Sequence, residues 1–238
     1  MAVCSGERRE MIDLNCDMGE LEDAAHEAAL MEFITSANIA CGAHAGDDAI
    51  MERTARLAIE RGVRIGAHPG YPDRANFGRI ELKMTAAEIE ASVLEQILRL
   101  EAIVRRLGGE VAYVKPHGAL YNVAVHNAEV ARAIGSGVAR WNPQAPIFGL
   151  AASPMLGVWR SMGLTAAGEG FADRCYEPDG TLRSRKLPGA LITDPAAAAE
   201  QAVRLARGGA VETICVHGDT PGAPRILKAC RDALRSNE

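Results

Sequence analysis

The 238-residue chain has no long basic stretch, and its net charge of −5 gives no support to nucleic-acid binding. No run approaches the roughly 18 apolar residues that a membrane span needs, so no membrane association is expected. The opening MAVCSGERRE lacks the apolar core of a secretory signal. It reads as a flexible leader over residues 1–10, ahead of a first strand beginning near Met11. Six cysteines (Cys4, Cys16, Cys41, Cys175, Cys215, Cys230) include no C-x-x-C pair. Cys16, Cys41 and Cys215 fall in or beside apolar runs, so buried reduced thiols explain them better than disulfides and point to the cytoplasm. The NTPase motif G-x-x-x-x-G-K-[ST], the zincin motif H-E-x-x-H and the hydrolase elbow G-x-S-x-G are missing as well.

What remains is the composition of an ordinary globule, 48% hydrophobic and 24% charged, long enough for one domain over 1–238. Seven apolar runs, at 11–17, 35–42, 63–68, 111–116, 146–151, 164–169 and 212–217, read as strands alternating with helices. Thr85-Ala86-Ala87-Glu88 is a capping box for a long helix ending at Gly108-Gly109. Ser153-Pro154 and Asp194-Pro195 each set an N-cap before a first-turn proline, and Thr220-Pro221 reads the same way. Alternating βα units argue for a parallel sheet inside a layer of helices. The fold class is therefore α/β, a seven-stranded (β/α) barrel, TIM-like, closed or distorted. An open doubly wound sheet is the alternative, but its G-x-G-x-x-G fingerprint is absent. The segment 168–193 is long for an unstructured connection and reads as a lid or binding loop.

Four of the six histidines stand where a predicted strand ends: His44, His68, His117 and His217. In a parallel barrel those ends converge on one mouth, so residues distant in sequence can form one site. On the first strand, period-two alternation puts Asp13, Asn15 and Asp17 on one face, where buried carboxylates require partners. A cap for the next helix is the rival reading of Asp17, though three polar residues on one strand face exceed what a cap requires, and Asp47 reads equally as the N-cap of a helix starting near Asp48. Lys115 beside His117 is either a Schiff-base nucleophile or, the favoured reading, a point charge for a carboxylate or phosphate. The long segment offers Glu169 and Asp173 nearest its strand and Arg174 as an anion clamp. Its Tyr176, Arg183, Arg185 and Lys186 fit a solvated loop as well. His217-Gly218-Asp219 closes the set, with Asp219 a rival cap for the last helix. A divalent metal is a candidate on Asp17, His44 and His68, although spacing does not encode its geometry.

Taken in order, DLNCDMGE, SANIACGAHAGD, IGAHPGYPD with NFGR, VKPHGALYN, FADRCY, GALI and CVHGD resemble the LamB/YcsF family, the A subunits of 5-oxoprolinase, from Asp13 to Asp219. The resemblance implies a barrel related to glycoside hydrolases and polysaccharide deacetylases. It also implies ATP-dependent opening of 5-oxo-L-proline to L-glutamate with partner subunits B and C. Matching motif positions include Asp13, Asn15, Asp17, Glu20, Asn38, His44, Asp47, His68, Asp73, Arg79, Lys115, His117, Tyr121, Asn122, Asp173, Arg174, His217 and Asp219. Of these and Glu169, Asp17, His44, His68, His117 and Asp173 are the expected catalytic groups. Asp13, Asn15, Asn38, Asp47, Asp73, Lys115, Tyr121, Asn122, Glu169, Arg174, His217 and Asp219 are expected to hold substrate. Gly70 and Gly170 depart from the Ser and Val common in relatives, and the stretch between Glu20 and Ser36 is shortened. A stand-alone metal-dependent deacetylase or amidohydrolase is the alternative reading, and a homo-oligomer stays open.

Overall fold

The computed structural model describes residues 12–236, so the expected leader 1–10, Met11 and Cys4 lie outside the described residues. Seven parallel strands close in chain order into a barrel: β1 (Asp13–Met18), β2 (Ser36–Ala40), β3 (Arg64–His68), β4 (Val111–Val114), β5 (Ile147–Leu150), β6 (Ala166–Phe171) and β7 (Thr213–Cys215). Each predicted run meets its strand. Closure comes from β1 pairing with β7 through Asp13–Thr213, Leu14–Ile214 and Asn15–Cys215. The seam between β4 and β5 is thin, resting on the single pair Val114–Ile147.

Eight helices surround the sheet among the described residues: α1 (Ala24–Met31), α2 (Asp48–Arg61), α3 (Ala86–Arg106), α4 (Gly118–His126), α5 (Ala128–Trp141), α6 (Pro154–Ser161), α7 (Pro195–Arg207) and α8 (Ala223–Arg235). None is long and apolar enough to cross a membrane. The Thr85 capping box opens α3 as expected, and Asp194 caps α7 by accepting from Ala197 N at 2.8 Å. Asp23, not Asp17, caps α1. Thr220-Pro221 does not open α8, which starts after Gly222, because the Thr220 hydroxyl donates to Asp173 instead.

Alternation along β1 sorts the barrel into two faces. Leu14, Cys16 and Met18 join the apolar layer under the helices, whereas Asn15 and Asp17 enter a polar lumen. Buried polar groups are tolerated only when they find partners. Here Tyr113 donates to Asn38 (2.7 Å), and Asn38 donates to Asn15 (2.7 Å) and Asp17 (2.8 Å). Asn15 donates in turn to Thr213 (2.7 Å) and Glu169 (3.1 Å). Gly66 makes room for this network, since a Cβ there would lie 2.1 Å from the Tyr113 ring. Among the described cysteines, Cys16, Cys41, Cys215 and Cys230 are buried free thiols and Cys175 is half-buried.

Candidate active site

The C-terminal strand ends open into a cavity of about 460 Å³ lined by His68, Lys115, His117, Tyr121, Phe171 and His217 among others. The segment after β6 folds back over it through the bridges Arg174–Leu191 and Tyr176–Leu182. It thereby carries Arg174, Arg185 and Lys186 to the rim, where Arg79 meets them from the loop after β3. Asp219 joins the two sides, taking Arg79 at 2.5 Å and Arg185 at 2.8 Å. Arg174 gives one amine to Arg183 O at 2.6 Å while its buried Nε has no partner. Burial, then the neighbouring Arg185 charge, lowers the Arg174 pKa.

On one wall Asp173 is fully buried and receives three donors: His217 Nδ1 (3.0 Å), His217 N (3.1 Å) and Thr220 Oγ1 (2.5 Å). Burial acts to raise the Asp173 pKa, but His217 and the hydrogen bonds outweigh it and hold the carboxyl below its usual range. A carboxylate that accepts the hydrogen bond from Nδ1–H fixes the tautomer and leaves Nε2 as the basic nitrogen. The ring stacks on Phe171, with centroids 5.3 Å apart, and lines the cavity.

The floor is a buried ionic cluster. Lys115 Nζ touches Asp17 Oδ1 at 2.7 Å, Glu169 Oε1 at 3.0 Å and Cys215 Sγ at 3.1 Å. Burial works against its charge, yet Asp17, Cys215 and Glu169 raise its pKa well above normal. A lysine held charged in this way is a poor Schiff-base nucleophile, which argues against that reading. Its anions, however, are the protein's own carboxylates. Burial, then the Glu169 carboxylate, push the Tyr121 phenol far above its ordinary range.

Against this floor three imidazoles crowd one carboxylate. Glu20 Oε1 lies 3.1 Å from His44 Nε2, 3.1 Å from His117 Nδ1 and 3.8 Å from His68 Nε2. His44 and His117 stack with centroids 3.7 Å apart. Burial, then the charge of His117, lowers the His44 pKa to about 3, which keeps that ring neutral. Burial opposes ionisation of Glu20, but His117 and the hydrogen bonds from both rings hold it well below the carboxylate range. Two groups of donor atoms could hold a metal ion among the described residues: Glu20, His44, His68 and His117, or Asp17, Cys215 and His217.

The LamB/YcsF family profile matches residues 12–238. The chain belongs to the LamB/YcsF family. It is 48% identical to a protein of Chloroflexus aggregans named as the A subunit of 5-oxoprolinase, over 94% of this chain and 95% of that one. A protein of the same name from Mycobacterium avium is 44% identical over 94% and 95% of the two chains. The crystal structure of a lactam utilization protein from Thermus thermophilus superposes with a TM-score of 0.88 at 38% identity, covering 95% of this chain and 96% of that one. The catalytic domain of a peptidoglycan N-acetylglucosamine deacetylase from Eubacterium rectale gives a TM-score of 0.54 at 9% identity over 95% and 84%, a likeness of fold alone.

In this LamB/YcsF chain the expected residues divide by height in the barrel. Asp17, His68, Lys115, His117, Tyr121, Asn122, Arg174 and His217 line the cavity. Glu169, Asn15 and Asn38 lie beneath, as partners of Lys115 and Asp17. Asp173 and Asp219 hold His217 and the rim arginines. Five expectations need correction. Asp13 sits at the opposite end of the barrel, where it binds Thr35 (2.7 Å), Ser36 (2.5 Å) and Thr213 (2.5 Å), so it cannot reach substrate. Asp47 is exposed and caps α2 through Ile50 N (2.9 Å). Asp73 caps the short 3-10 turn Arg74–Asn76. His44 lies behind His117, outside the cavity lining. The trio Asp17, His44 and His68 is not assembled as one ligand set, because Glu20 and His117 stand with His44 and His68 instead. Glu20, Arg79 and Arg185 carry geometry that their place in the sequence does not disclose. Glu20 has a visible signal: it follows Gly19, whose φ of +70° turns the chain at the end of β1.

Proposed function

We propose that the chain is the lactam-opening subunit of a cytoplasmic ATP-dependent 5-oxoprolinase, converting 5-oxo-L-proline to L-glutamate with partner subunits B and C. The observation that carries the reading is the Asp173-oriented His217 facing a rim of cations across one cavity. A five-membered lactam is a poor electrophile, and phosphorylation of its oxygen by ATP makes C5 reactive. With no phosphate-binding loop in this chain, ATP is assigned chiefly to the partners.

His217 Nε2 takes a proton from water as the water oxygen bonds to C5. The ring nitrogen then takes that proton back from His217, the C5 hydroxyl gives up its own proton to solvent as C=O re-forms, the C5–N bond breaks, and an acyl phosphate with a free amine remains. A second water releases phosphate and leaves the glutamate carboxylate. Arg174, Arg185, Lys186 and Arg79 are placed to hold the carboxylate and phosphoryl groups, with guanidinium forks suited to both. Lys115 neutralises part of the charge of Asp17 and Glu169 and so keeps the floor beneath the substrate rigid, while the cationic rim faces the developing oxyanion.

The test is reconstitution with the products of neighbouring genes. We expect phosphate and glutamate to appear together, only when 5-oxoproline and ATP are both present. A well-folded assembly without coupled release contradicts the proposal. Amide hydrolysis by the chain alone, without ATP and abolished by chelator, would instead select the stand-alone amidohydrolase.

A further inference from the structure

We propose that Gln201, on the buried face of α7, is a positioning residue that aims His217 by clamping the chain on which Asp173 stands. Its Nε2 donates to Phe171 O at 2.7 Å, to Arg174 O at 2.7 Å and, at longer range, to Ala172 O at 3.3 Å. The side chain is 6% exposed and shares its face of the helix with Ala198, Ala199 and Ala202. Ile192 N donates to the remaining carbonyl, Asp173 O, at 2.9 Å. Every carbonyl from Phe171 to Arg174 is thereby satisfied where the chain leaves β6. A carbonyl only accepts, so only the NH2 end of the amide can face this turn. Arg204 holds that orientation by donating to Gln201 Oε1 at 2.9 Å.

The residues so held shape one wall of the cavity. Phe171 stacks on the His217 ring, Asp173 accepts from its Nδ1, and Arg174 stands at the rim. Pairing of β6 with β7 ends at Phe171–Cys215, and Ala172 N still reaches Cys215 O at 2.9 Å. From there α7 takes over the fixing of the chain through Gln201, and the returning strap through Ile192. All four residues are buried, so solvent does not replace a missing donor. Asp173 meets His217 through a short side chain, so a shift of its backbone carries into the angle of the imidazole. A misplacement of about 1 Å at a reacting group can cost about 10²-fold in rate. The part of Gln201 in the reaction rests on the reading of His217 as the base. Gln96 on α3 provides the comparison, being 5% exposed and gripping Gly70 through N (3.0 Å) and O (2.9 Å). It holds the loop after β3, a strand that neighbours neither β6 nor β7.

The experiment has two readouts, one on the full chain alone and one on the reconstituted assembly. In ¹⁵N-histidine spectra at alkaline pH, the His217 signals, identified by their loss in His217→Gln, should show the Nδ1–H tautomer in wild type. Gln201→Met matches the length and deletes the donors. It should give a mixed His217 tautomer, and its assembly should release glutamate about 10²-fold more slowly. Gln96→Met removes a comparably buried amide and should leave the His217 tautomer unchanged. A folded Gln201→Met that keeps the wild-type tautomer or the wild-type rate overturns the proposal. An equal tautomer change in Gln96→Met overturns it too, by showing general loosening. Should Gln201→Met fail to fold by circular dichroism, Arg204→Met is read instead, since Arg204 is exposed and braces only Gln201 Oε1. Both readouts should then move in the same direction, and no movement overturns the clamp. An assembly that never couples ATP to glutamate release refutes the 5-oxoprolinase reading, and the tautomer in the chain alone then decides the clamp.

Discussion

Lys115 shows how one residue can carry the charge balance of a whole site. It is the cation shared by the buried carboxylates of Asp17 and Glu169, 2.7 and 3.0 Å away. Lys115→Met keeps the length but strands two anions in the lumen, and should cost about 3–5 kcal/mol in urea unfolding. An unchanged midpoint would show that the carboxylates are protonated instead. Asp173 and Asp219 both have pKa values depressed below normal, Asp219 through the Arg185 bond and charge once its burial is outweighed. A depressed folded pKa gives stability that is present above the unfolded value, about 3.9, and lost as pH falls through the folded one. The urea midpoint should fall already below about pH 6.5, where the unfolded chain protonates His44 and the folded one keeps it neutral down to about 3, and fall further below about pH 4 as these carboxylates protonate, less steeply there in Asp219→Asn. The same residues mark what sequence can disclose. His68 and His117 were legible because each ends an apolar run. Glu20 was less so, since an acid after a turning glycine resembles any solvated loop residue until three rings are seen around it.

At the level of elements, local chemistry was readable wherever it stayed local. Thr85 and Asp47 cap their helices through backbone groups three residues away, which the sequence displays directly. Thr220 misled because its hydroxyl is claimed by Asp173, 47 residues distant. Asp13 misled for a related reason, since period-two alternation gives the face of a strand but not the height along it. Between β3 and β4 the constraint is steric: Tyr113 lies across Gly66, where a Cβ would come within 2.1 Å of the ring, and Tyr113 stacks on Phe148 at 4.2 Å. Gly66→Ala should destabilise by about 1–3 kcal/mol or more, because the ring has no free volume to enter. Wild-type stability in that variant would mean the lumen is looser than its geometry suggests.

Across the whole molecule, closure of β1 on β7 makes the two ends of the chain interdependent. We propose that residues 12–236 behave as one folding unit and expect a single unfolding transition, coincident by fluorescence and far-UV circular dichroism. Two separated transitions would divide the barrel, with the thin β4–β5 seam the first place to look. The barrel was legible because seven apolar runs alternate with capped helices, whereas the pairing of Asp173 with His217 is set only when β6 and β7 lie side by side. That pairing is also where function is most exposed to experiment. The decisive measurement is glutamate release by the reconstituted assembly carrying Asp173→Asn, which keeps the shape but loses the charge that orients His217. We expect normal assembly and a rate lower by about 10²- to 10⁴-fold, as for loss of an oriented general base. Full turnover in a correctly folded Asp173→Asn assembly would contradict the placement of the chemistry at this wall of the cavity.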